Sequence, residues 1–190
     1  MFMANWVRYA IVLSGLVAGV TCRDHRAMWE GRYVEAMAEL GAAKGDQERF
    51  YALTDAATAS FELGKAEEAR SYANELLNLA PRFPRDWNYG NAIHDGHMVL
   101  GRVALSEGAV ETAEKELLLA GGTPGSPQLD SFGPNMSLAK DLLEQNHRDA
   151  VVEYFGLCAK FWKQERGKLR RWTERAKAGR VPDFGANLLY

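Results

Sequence analysis

The chain has 190 residues, of which 47% are hydrophobic and 25% are charged, and its formal net charge is −2. This composition is typical of a globular protein with enough material for one domain core, and it argues against a disordered chain. The only cysteines, Cys22 and Cys158, stand 136 positions apart and outside any CxxC or Cys/His cluster. The sequence therefore indicates neither a disulfide framework nor a zinc knuckle.

Residues 1–22, MFMANWVRYAIVLSGLVAGVTC, have the layout of a secretory signal. Arg8 is their only charge, and an apolar run that is too short to span a bilayer leads to Cys22. Cys22 resembles the lipid-modified cysteine of a bacterial lipoprotein signal, although such signals place a leucine at the position of Gly19 and a smaller residue at Thr21. We expect an exported, periplasmic or membrane-anchored protein tethered through Cys22. The alternative is a cytoplasmic chain in which residues 6–22 form a buried first helix.

A loop residue followed by a similar helix recurs four times, at Gly31, Gly64, Gly108 and Asn146. Small or apolar residues stand five, nine and twelve positions after each of these loop residues. Such offsets lie on one face of a helix, where small side chains allow a neighbouring helix to approach closely. The pattern predicts an almost wholly helical chain over residues 26–180. Six residues at the repeated offsets are predicted to be buried: Ala69, Ala73, Ala113, Leu117, Val151 and Phe155.

The middle copy, around Gly108, resembles the tetratricopeptide repeat, a helix-turn-helix of about 34 residues with the pattern W-x2-L-G-x2-Y, A-x3-F and P. His97 takes the tryptophan position, Leu100 and Gly101 supply the Leu-Gly pair, and Ala113 with Leu117 supplies A-x3-F. The loop residues lie 33, 44 and 38 positions apart, because the inserts PRFPRDWNYGN and GGTPGSPQLDSFGPN separate the helical pairs. The resemblance implies an all-α fold of antiparallel helix-turn-helix pairs, stacked as a short α-solenoid.

The segment 160–180 differs in composition, with nine lysines and arginines against two glutamates. An apolar stripe on an otherwise basic helix is predicted for Trp162, Leu169, Trp172 and Ala176. We interpret this helix as a cap, because the last unit of a repeat array needs a polar outer face. The alternative is a basic surface for anionic lipid or nucleic acid, but no nucleic-acid-binding motif accompanies the charge and we expect no such partner. The predicted domains are residues 1–22, the repeats at 23–164, and a basic cap with an apolar tail at 165–190.

The resemblance implies a non-enzymatic adaptor or scaffold that binds a protein or peptide on the concave face formed by the first helix of each pair. Family ligands contact slots 2, 5, 9 and 12 of that helix. The partner-binding residues expected here are Tyr51, Thr58, Phe61, Asp95, Met98, Arg102, Met136 and Lys140. Arg102 and Lys140 make slot 9 basic in two successive copies, which favours a peptide that carries a carboxylate between apolar side chains. Two alternatives are that both cations pair with nearby acids, and that the ligand is the carboxylate of the chain's own Tyr190.

His94, Asp95 and His97 crowd into four residues, a density that is also found in metal sites. Zinc-binding histidines on a helix are four positions apart, whereas these two are three apart, so we expect His97 to fill a packing position. No GxSxG, GxxxxGK[ST] or GxGxxG motif is present. We expect no catalytic residue, metal or cofactor.

The alternative function is an enzyme or metal-dependent hydrolase with its site in the long inserts around His94, Asp95 and His97. This alternative requires that six polar residues of the inserts lie around one pocket, within hydrogen-bonding distance of one another: His94, Asp95, Asn88, Asn91, Asp130 and Asn135.

Overall fold

The structure, a computed structural model, describes the backbone of residues 5–188 and the side chains of residues 24–188. This part of the chain is helical and contains no β-strand. The helices are α1 Asn5–Ala42, α2 Asp46–Glu62, α3 Ala66–Leu79, α4 Tyr89–Ser106, α5 Val110–Gly121, α6 Pro127–Ser131, α7 Ser137–Glu144, α8 Arg148–Cys158 and α9 Lys168–Lys177. Short 3-10 turns cover Ala80–Arg82 and Gly185–Leu188.

Three of the four predicted loop residues do lie between helices, and the prediction for Gly31 is wrong. Gly64, Gly108 and Asn146 have φ angles of 76°, 78° and 68°, a left-handed conformation that glycine and asparagine tolerate best. Gly31 instead lies within α1. A glycine inside a helix costs only about 1 kcal/mol relative to alanine, and the strong helix formers on both sides of Gly31 outweigh that cost.

Each helix packs against the next along the chain from α1 to α5, and α5, α8 and α9 continue the series. The adjacent helices thus form stacked pairs, an arrangement compatible with a helical repeat. The six residues predicted from the repeat offsets are all buried, which confirms that part of the prediction. The largest core cluster joins α4, α5 and α7–α9, and its aromatic members are Tyr154, Phe155, Phe161, Trp162, Trp172 and Phe184.

The second insert, between α5 and α7, is anchored on the first turn of α4. The Thr123 hydroxyl donates a hydrogen bond to the Gly90 carbonyl at 2.7 Å, and the Ser126 hydroxyl donates to Asn91 Oδ1 at 2.5 Å. A Cβ atom at Gly90 would lie 1.9 Å from the carbonyl oxygen of Gly125, so only glycine permits this approach. The insert is therefore an ordered part of the fold.

The C-terminal segment packs back on the helices up to the last described residue. Leu169, Trp172 and Ala176 form the buried face of α9, which confirms that these three residues share an apolar stripe. Trp162 is also buried but precedes α9, so its predicted place on that helix is wrong; its ring centroid lies 5.7 Å from that of Trp172. After α9 the chain turns at Gly179, where φ is 73°, and the buried Phe184 returns it to the core.

Residues 5–22, the larger part of the predicted signal segment, have a backbone that belongs to α1. Residues 1–4, and the side chains up to residue 23 including Cys22, lie outside the described residues. Export and lipidation therefore stay predictions. None of the helices in the described part of the chain combines the length and apolar character that crossing a membrane requires.

Candidate functional site

A groove of about 480 Å³ lies between α1, α2 and α4 and is bordered by both inserts. Tyr51, Asp55, Thr58 and Glu62 reach it from α2, since residues four and seven positions apart share a helix face. From α4 the groove receives Asn91, Asp95, Met98, Val99 and Arg102, which follow the same spacing. Trp29 and Arg32 of α1, Trp87 and Asn88 of the first insert, and Gln128 and Asn135 of the second complete most of its lining.

Five of the eight residues predicted to bind a partner line this groove: Tyr51, Thr58, Asp95, Met98 and Arg102. Phe61 is half-buried and packs against the core cluster that contains Val99 and Val103. Met136 is fully buried among core residues of α7 and α8, so its side chain has no surface to offer a partner. Lys140 does not line the groove.

Arg102 and Lys140 already have carboxylate partners within the chain. Arg102 Nη1 lies 2.6 Å from Glu62 Oε1, its Nε lies 3.6 Å from Asp141 Oδ2, and its guanidinium stacks on the Phe61 ring at 4.3 Å. Lys140 Nζ lies 2.7 Å from Glu144 Oε1. The alternative of pairing with nearby acids is therefore what the structure shows, and the basis for a carboxylate-bearing ligand is correspondingly reduced.

Behind the groove wall, His94 joins Asp95 to the core of the molecule. His94 is fully buried, with Nδ1 2.8 Å from Asp95 Oδ1 and Nε2 3.0 Å from the Tyr154 hydroxyl. That hydroxyl donates to the Asn135 carbonyl at 3.1 Å, and burial raises the pKa of Tyr154 well above its usual range, so it stays protonated. This chain of contacts holds the Asp95 carboxylate in place at the groove surface.

Amide side chains from both inserts form a second network beside it. Asn91 Nδ2 donates to Asn88 Oδ1 and to Gln128 Oε1, both at 2.9 Å. Asn88 and Asn91 are nearly buried, so these bonds satisfy polar groups that would otherwise lose their hydration. Four of the polar residues named for an insert site, Asn88, Asn91, Asp95 and Asn135, thus converge on one groove.

The remaining residues of that hypothesis lie elsewhere. His97 Nδ1 is 2.7 Å from Glu116 Oε2, away from the groove, and Asp130 accepts a hydrogen bond from the backbone of Lys163 at 2.8 Å. Among the described residues, no group of three or more His, Cys, Asp or Glu side chains is arranged to hold a metal ion.

Several lining residues were not anticipated from the sequence, above all Trp29, Asp55 and Trp87. The Tyr51 and Trp87 rings stack with centroids 6.0 Å apart, and the Tyr51 hydroxyl donates to Asp86 at 2.5 Å. Asp55 stands four positions after Tyr51, on the same face of α2, and that spacing is the signal that could have identified it. The Asp55 side chain remains exposed in the groove, but partial desolvation by the groove walls raises the pKa of its carboxyl, and the negative charge of Glu39 adds to this shift.

No protein-family model, no curated protein and no solved structure matches the chain.

Proposed function

We propose that the chain is a non-enzymatic adaptor that binds an extended segment of another protein in the groove between α1, α2 and α4. In this proposal the helices form antiparallel pairs of a short tetratricopeptide-like solenoid, and the groove is its concave face. The proposal is supported chiefly by the coincidence of the groove with Tyr51, Thr58, Asp95, Met98 and Arg102, positions derived from the repeat register alone.

The composition of the groove suits a peptide better than a flat protein surface. The exposed Trp87 supplies an aromatic contact at the rim, the buried Met98 and Val99 form an apolar part of the wall, and the hydrogen-bonded Asn88 and Asn91 keep the polar part of the wall fixed. Large aromatic rings with polar neighbours are the usual anchors of such interfaces. An exported protein tethered through Cys22 would present this groove outside the cytoplasm.

The first prediction tests the groove with a phage-displayed library of 12-residue peptides, selected on the purified chain. Thr58→Trp places a bulky ring in the groove, and we expect it to weaken the selected peptides at least about tenfold, or about 1.4 kcal/mol. Titration calorimetry measures the affinity, and backbone amide shifts map the site. Glu153→Trp, which places the same ring at an exposed position on α8, serves as the control.

The proposal would be contradicted by peptides that change the chemical shifts of backbone amides outside the groove, or by peptides that bind Thr58→Trp as tightly as the wild type. A library that yields no enriched peptide would count against it as well.

An enzyme with its site in the same groove is the second candidate. It is favoured by the convergence of Asn88, Asn91, Asp95 and Asn135, and by the contacts that hold Asp95 through His94. Two carboxyl groups of one groove whose surroundings differ, Asp55 and Asp95, resemble the acid and base of a hydrolase. Turnover of model ester or glycoside substrates that disappears in Asp95→Asn would favour the enzyme over the adaptor.

A further inference from the structure

The groove contains a carboxylate without a close partner in the described part of the chain. Arg102 is engaged by Glu62 and Asp141, and the Arg32 guanidinium lies against the Trp29 ring, whereas the Asp55 carboxylate forms no hydrogen bond and no ion pair within 4.0 Å with any described residue. Its charged surroundings are the acids Glu35, Glu39 and Asp95 and the single base Arg32. A cation that entered the groove would therefore find a carboxylate with no close partner and a negative local potential.

The residue next to Asp55 also has an unused polar group. Thr54 lines the groove, and its Oγ1 atom is buried without a hydrogen-bond partner among the described residues. A buried hydroxyl without a partner is costly, and a small rotation of the Thr54 side chain toward a polar ligand group would recover that cost. The carboxylate requires a hydrogen-bond donor, and the hydroxyl on the preceding residue can either donate or accept.

Three aromatic rings line the same groove. Trp29, Tyr51 and Trp87 line the groove, and Trp87 is 58% exposed, an unusual position for a large apolar side chain. The guanidinium of Arg32 lies 4.9 Å from the centre of the Trp29 ring, so one of these rings already contacts a cation. Aromatic faces attract ammonium and guanidinium groups and also accommodate the aliphatic stem of a basic side chain.

We propose that the groove selects a peptide segment with a lysine or arginine side chain, whose cationic group is bound by Asp55 between the aromatic rings. The proposal rests on the peptide-binding function proposed above and reverses the sign of the ligand charge that the sequence predicted. The carboxylate supplies the charge-assisted hydrogen bond, and the rings supply contact with the stem.

The test uses three side-chain analogues as probes: n-propylguanidinium, n-butylammonium and butyrate, each titrated into the full chain and followed by backbone and indole NMR signals. We expect both cations to shift the signals of Asp55, Trp29 and Trp87 with saturation, and butyrate to leave them unchanged. Asp55→Asn should weaken the cations at least about fivefold, because it removes the charge but retains the shape. Glu153→Gln removes an equal charge at an exposed site on α8 and should bind them like the wild type.

Equal binding of the cations by Asp55→Asn, or saturable binding of butyrate in the groove, would overturn this inference. The selected 12-residue peptides separate this failure from failure of the proposed function. Groove-binding peptides without lysine or arginine would refute only the basic anchor, whereas peptides that bind elsewhere would refute both proposals.

Discussion

At the scale of single residues, Asp55 is a carboxylate whose surroundings oppose its charge. The groove desolvates it and neighbouring acids repel it, and both effects raise the pKa of Asp55 above the ordinary value of 3.8. A carboxyl with a raised pKa in the folded state lowers stability at pH values above that pKa, because the unfolded chain ionises more readily. This cost falls as the pH drops through the folded pKa, and it vanishes below the unfolded value.

Asp55→Asn should therefore have a higher melting temperature than the wild type at neutral pH, and the difference should shrink as the pH approaches 3.8. Thermal unfolding followed by circular dichroism over this pH range measures the effect. Glu153→Gln, outside the groove, should show no such trend. A variant that is less stable than the wild type at neutral pH would contradict an unfavourable charge environment for Asp55.

Part of the core and part of the groove could be predicted from the sequence. The repeat offsets predicted the buried alanines of α3 and α5, because helical periodicity determines which positions share a face. The five predicted residues that line the groove came from the resemblance to the tetratricopeptide repeat. The offsets could not identify Trp29 or Trp87, which come from α1 and an insert outside the repeat pattern. Nor could they show that Glu62 and Asp141 neutralise Arg102, since that pairing joins three separate helices.

At the scale of elements, the second insert packs directly against the backbone of α4, which a surface loop does not usually do. The second insert approaches α4 so closely that the Cβ of an alanine at position 90 would lie 2.4 Å from the carbonyl carbon of Gly125. Backbone atoms cannot yield as a flexible side chain can. Gly90 thus fixes the distance between α4 and the loop that brings Gln128 and Asn135 to the groove.

Gly90→Ala is expected to lower the free energy of unfolding by about 1 to 3 kcal/mol, because the insert must move away from α4. Urea unfolding measures this change. Gly31→Ala is the matched control: its Cβ would meet nothing within 4 Å in the middle of α1, and alanine favours helix. That variant should be more stable by about 0.5 to 1 kcal/mol. A stability loss in Gly31→Ala would contradict the continuous helix, and an unchanged Gly90→Ala would contradict the close packing of the insert.

At the scale of the whole molecule, the C-terminal segment is connected to the groove through the second insert. Asn187 is fully buried, and its Nδ2 donates to the carbonyls of Phe132 at 3.1 Å and Pro134 at 3.0 Å. The backbone carbonyl of Asn187 accepts a hydrogen bond from the backbone amide of Met136 at 2.8 Å. Leu188, the next residue, lines the groove, and Tyr190, the source of the alternative internal ligand, lies outside the described residues.

Asn187→Ala removes the donor for two carbonyls, and we expect a loss of about 2 to 4 kcal/mol in the free energy of unfolding, since unpaired buried acceptors are costly. Because Asn135 lies between those carbonyls and the Met136 amide, amide hydrogen exchange should rise over residues 132–136 and extend to the Tyr154 and His94 contacts of the groove wall. Arg180→Ala, at an exposed position of the same segment, should change stability by less than about 0.5 kcal/mol and leave exchange unaltered. Faster exchange confined to the C-terminal turn would show that the tail and the groove are independent. Faster exchange over residues 132–136 and at Tyr154 and His94 would mean that the C-terminal tail and the second insert together hold the polar wall of the groove in place.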